Sequence, residues 1–107
     1  MATPLKREMS SSRKQLIELM QQTNFGRIEG LVVRDGEPVL DPSPRTTRDV
    51  VFGKENSAHP ARSKTDFALK EQHLQLFRFF DEERSLRIDT LVIQHGLPVR
   101  MSLPQAL

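Results

Sequence analysis

The chain has 107 residues, 36% of them hydrophobic and 28% charged, with 16 Lys+Arg set against 14 Asp+Glu. That length supports one domain with a small core, and no apolar run approaches the ~18–20 residues that would cross a bilayer. The absence of cysteine excludes disulfides and thiolate metal sites.

The first eleven residues are polar, contain Pro4 and lead into a run of three serines, so 1–11 is expected to be a disordered tail. They hold no apolar core of a secretory signal, and the expected location is cytoplasmic. Ser12 stands three residues before Gln15, a capping-box spacing. A helix is expected over 13–23, with Leu16, Ile17 and Met20 as its apolar stripe and Gly26 beyond its end. Residues 28–34 then read as a strand, Asp35-Gly36 as a two-residue hairpin turn, and the return strand pairs Val32 with Val39. A third strand is expected over 46–52, followed by a loop over 54–64.

A second helix is expected over 67–83, capped by Thr65 or Asp66. On a helical wheel Leu69, His73, Leu76, Phe77 and Phe80 share one face, Leu74 lies at its edge, and Phe79 falls well off it. Residues 86–94 read as a strand, His95-Gly96 as a turn, and 97–103 as the return, pairing Val92 with Val99, Thr90 with Met101 and Ile88 with Leu103. In that register Val92→Asp should unfold the domain, because it buries a charge. The last four residues, 104–107, read as a loose tail.

Two of these segments nearly repeat: RIEGLVVRDGEPV at 27–39 and RIDTLVIQHGLPV at 87–99, identical at seven of thirteen positions. Each follows an amphipathic helix. The fold class expected is therefore α+β: two helices packed on a small antiparallel sheet of four to five strands, with an internal α-β-β repeat. The single domain spans 12–103, with the first unit plus the third strand over 12–53 and the second unit over 65–103.

Strict alternation along the strands puts Ile28, Val32, Ile88 and Val92 on one face and Leu31, Val33, Leu91 and Ile93 on the other. Two helices cover one face. A second copy packed sheet on sheet would cover the other, unless that face tolerates water because it also carries Arg27, Glu29, Arg87 and Asp89. Leu31, Val33, Leu91, Ile93 and the off-face Phe79 are the candidate interface.

The stretch 16–52 resembles the small uncharacterised bacterial proteins of the YezD type, in which a short helix is followed by Phe-Gly-x-Ile/Val-Glu, a β stretch and Asp-Gly. The matching residues here are Phe25, Gly26, Ile28, Glu29, Asp35 and Gly36. The resemblance implies a helix packed on a small meander and no activity.

No catalytic, cofactor or metal signature is present, so no enzyme activity is expected. His59, His73 and His95 have no metal-ligand spacing. His73 on the apolar helix face reads as a core histidine with one hydrogen bond. Glu29 and Asp89 are the best carboxylate pair, and each is expected to meet an arginine across strands instead. The expected function is a non-enzymatic interaction module, a homodimer or the partner of another protein, with no membrane contact. The alternative is a weak, sequence-independent nucleic-acid binder using Arg13, Lys14, Arg45, Arg48, Lys54, Arg62 and Lys64, where basic residues cluster in the tail and the middle of the chain.

Overall fold

The computed structural model describes residues 4–50, 52–53 and 69–105. Two thirteen-residue helices, α1 (Ser11–Thr23) and α2 (Glu71–Glu83), pack on one five-stranded antiparallel sheet, β1 (Gly26–Arg34), β2 (Glu37–Val39), β3 (Arg45–Arg48), β4 (Leu86–Gln94) and β5 (Leu97–Ser102). The main strand order is β2-β1-β4-β5. β3 pairs with the first half of β1, on the side where β2 pairs with its second half.

Both helices begin and end for local reasons. The α1 N-cap is Ser10, whose side chain accepts from the Arg13 N–H, and not Ser12. Ser10 and Ser12 both donate to Glu37 Oε2, at 2.6 and 2.8 Å, tying the helix start to β2. The N-cap of α2 is Lys70, later than the Thr65 or Asp66 expected, and residues 54–68 lie outside the described part. The helices end on Asn24 (φ 62°, ψ −59°) and Arg84 (φ 63°, ψ −46°), each the centre of a γ-turn in which the next residue's N–H donates to the preceding carbonyl, Phe25 to Thr23 at 2.7 Å and Ser85 to Glu83 at 2.6 Å. The two stops are crossed: the Gly96 N–H donates to the Asn24 carbonyl at 3.0 Å, and the Gly36 N–H to the Arg84 carbonyl at 2.8 Å. Each helix end is thus held by the turn of the other helix's hairpin. Both turns have positive φ at both central residues, Asp35 and Gly36 in one, His95 and Gly96 in the other, as mirror-image hairpin turns require.

The core is one cluster: Leu16, Ile17 and Met20 of α1, His73, Leu76, Phe77 and Phe80 of α2, Leu69 before it, and Ile28, Leu31, Val33, Ile88, Leu91 and Ile93 of the two central strands. Strict alternation does not hold. Ile28 and Leu31 are three apart and both buried, as are Ile88 and Leu91, which pair with them across the strands. The phase of the side chains changes between them. In β1 the change falls at Gly30, at φ +72°, a conformation glycine adopts freely. The candidate interface residues Leu31, Val33, Leu91 and Ile93 are therefore inside the single chain, each at most 1% exposed, because the phase change turns them under the helices. Val32 and Val92 are the valines left half-buried on the outer face.

Three further expectations are corrected. Residues 4–10 are not a loose tail: Lys6–Glu8 form a 3-10 turn, Met9 packs on the core, and the Pro4 carbonyl accepts from the Leu69 N–H at 3.0 Å. Lys6, 2% exposed, reaches Glu18 at 3.0 Å. The third strand is shorter than expected, and beyond it Val50 and Phe52 stand exposed. The second return strand slips by one: Ile93 pairs with Pro98 but Val92 with Arg100, so Val99 is an extra, bulged residue and Thr90 pairs with Ser102. The first hairpin keeps the expected register, Val32 with Val39.

Candidate interaction surface

The bulge shapes an apolar opening on the surface. α2 lies beside β5, and between them runs an open groove of about 180 Å³, lined by Gln72, Gln75, Leu76, Phe79, Leu91, Pro98, Val99, Arg100 and Met101. Phe79 is 43% exposed because its helical position lies off the face formed by Leu76, Phe77 and Phe80. Val99 is 45% exposed because the bulge lifts it out of the ladder. Arg100 is the one charge among the described residues that line it. β5 is also an edge strand, and six residues long against three in β2 and four in β3. Of the candidate interface residues, only Phe79 faces this opening from an exposed position. Leu91 forms its floor.

Of the residues expected to meet nucleic acid, the four described ones do not gather in one place. Arg13 is 14% exposed and structural: its Nη2 donates to the Gly36 carbonyl at 2.8 Å and to Asp81 Oδ1 at 2.6 Å, while its guanidinium lies 5.0 Å from the centre of the Phe77 ring. It clamps α1, the β1–β2 turn and α2 together. Lys14 is partly buried on α1, and Arg45 and Arg48 are exposed on β3. Lys54, Arg62 and Lys64 lie outside the described residues.

Nor do His73, Glu29 and Asp89 come together. His73 is fully buried on the core face of α2, and its Nδ1 accepts from the Lys70 N–H at 3.1 Å. Burial, and secondarily the Lys70 charge, push its imidazole down to about 4, so it is neutral near pH 7. Glu29 sits on the opposite, outer face, 3.7 Å from the Arg27 guanidinium. Asp89 is exposed on the neighbouring strand. His95 lies in its turn, edge-on to Phe25 with ring centres 4.8 Å apart. Among the described residues no group of three His, Asp or Glu could hold a metal ion, and no helix is long and apolar enough to cross a membrane.

What sequence reasoning missed is the groove itself. The off-face Phe79 was a visible signal. The bulge that exposes Val99 was not, since nothing in LPVRMS distinguishes a bulged strand from a regular one. No protein-family model, curated protein or solved structure matches the chain.

Proposed function

We propose that the chain is a non-enzymatic interaction module, built from an internal α-β-β repeat, that self-associates through the α2–β5 groove. The repeat is supported by spacing: α2 begins sixty residues after α1 (11 to 71) and β4 sixty after β1 (26 to 86), with equal lengths in each pair. The observation that carries the function is the exposure of Phe79 and Val99 side by side on an edge of the sheet. A large aromatic that is not needed by its own core contributes most when a partner buries it.

A second copy is the occupant that this surface suits. The contact is isologous, so Phe79 of each copy enters the groove of the other beside Val99 and Met101. The α2 wall presents Gln72, Gln75 and Phe79, so two such walls meet without like-charge repulsion, although 28% of the chain is charged. Pro98 lacks an N–H and the bulge interrupts the edge, so side-chain packing, rather than a continuous ladder, supplies the association.

Sedimentation velocity from about 10 to 500 μM tests this. The expected result is a concentration-dependent dimer that Phe79→Ser abolishes while the monomer stays folded by circular dichroism. A wild-type chain that is monomeric throughout, or a dimer that Phe79→Ser leaves intact, rejects the reading.

A further inference from the structure

The sheet face opposite the helices carries a second feature, independent of the groove. Register places Arg27 beside Val92, and Val92 beside Arg100, so two arginines flank a half-buried valine in one cross-strand row. Arg27 lies beside Thr47 of β3, and Arg45 lies beside Glu29 in the next row on this face. Arg87 stands farther along β4, beside Val32. Among the described residues this face therefore holds Arg27, Arg45, Arg87 and Arg100, with Arg34 at its far end, against Glu29, Asp89 and, at the rim, Asp49. Only Arg27 has a counter-ion there, Glu29 at 3.7 Å; Arg45, Arg87 and Arg100 form no ion pair among the described residues. Arg27 and Arg100 border a depression of about 320 Å³, which Asp49 also lines.

We propose that this open sheet face binds the phosphate backbone of single-stranded nucleic acid, with Arg27 and Arg100 as the central contacts and Arg45 and Arg87 extending the track. Adjacent strands lie ~4.8 Å apart, so Arg27 and Arg100, two strands apart, are separated by about 10 Å at the backbone. Cations spread that way meet successive phosphates of one polymer, whereas a single phosphate would need them to converge. Phe25 lines the depression, set edge-on against His95, but no aromatic side chain stands in the row itself, so the contact is mainly electrostatic and little dependent on sequence. A duplex is disfavoured because the face is an open sheet with, among the described residues, no helix or projecting ribbon to enter a groove.

Fluorescence anisotropy with labelled 20-nucleotide DNA and RNA, run on the full chain from about 25 to 200 mM salt, tests the site. Each phosphate contact contributes ~0.7 to the slope of log K against log salt. Arg27→Gln should weaken binding at least threefold and lower that slope by about 0.7, and Arg27→Gln/Arg100→Gln by about 1.4. Arg78→Gln removes the same charge from the exposed side of α2 and should change affinity less than twofold. Arg100 also borders the groove, so the oligomeric state of each variant is measured alongside, and Arg27→Gln, which does not touch the groove, separates this site from self-association. The proposal is overturned by no binding at 25 mM salt, by equal losses in Arg27→Gln and Arg78→Gln, or by poly-glutamate competing as well as the oligonucleotide.

Discussion

Arg13 and His73 occupy matching places, the third residue of each helix, and each is a polar group spent on structure. Arg13 satisfies the Gly36 carbonyl and lies against Phe77 while it reaches Asp81. Arg13→Ala should destabilise the fold by ~2–4 kcal/mol in urea denaturation, since it strips partners from part-buried groups and empties a packed site. Asp81→Ala should cost less than ~1 kcal/mol, because that carboxylate is largely exposed and its ion pair is screened. His73 makes stability depend on pH. Its folded value, about 4, lies below the ~6.5 of an unfolded histidine. Between those values the unfolded chain binds a proton that the folded chain does not. The contribution is complete above ~6.5 and is lost as pH falls toward 4, by up to about 3 kcal/mol. Thermal melts of His73→Gln should show a flatter profile than wild type from pH 7 to 4; identical slopes would mean that other groups carry the dependence.

At the scale of elements, the hairpins test how backbone chemistry sets register. Gly26 begins β1 where β3 crosses close: a Cβ there would run into the Thr47 carbonyl oxygen. Gly26→Ala should therefore cost more than ~2 kcal/mol and loosen β3 first, seen as faster amide exchange at Thr46–Arg48. Val92→Asp, expected from the sequence to unfold the domain, should instead be tolerated with a loss of ~1–2 kcal/mol, because Val92 is half-buried on the outer face; Ile93→Asp is the substitution that should unfold it. The contrast shows what was legible. Asp35-Gly36 and His95-Gly96 announced both turns, because few residue pairs accept positive φ twice. The apolar stripes announced both helices and their share of the core, and Ile28 and Ile88 with them, but Leu31, Val33, Leu91 and Ile93 were expected on the other face. The phase change between Ile28 and Leu31 was hidden, since alternation is a local rule and packing under two helices overrode it. The bulge at Val99 was hidden because the residue types of the strand carry no mark of it. The packed start of the chain was unreadable because Lys6 and Met9 find their partners only in the folded molecule.

Across the whole molecule, the helices fill one side of the sheet, the arginines occupy the other, and the groove opens at the β5 edge. We propose that this groove receives Phe79 of a second copy. A half-filtered nuclear Overhauser experiment on an equimolar mixture of isotope-labelled and unlabelled chain tests it most directly, since only contacts between copies survive the filter. Cross-peaks between the Phe79 ring of one copy and the Val99 and Met101 methyls of the other are the expected result. Filtered spectra without those peaks at a concentration where the chain is dimeric, or peaks arising only from the outer-face valines Val32 and Val92, would contradict it.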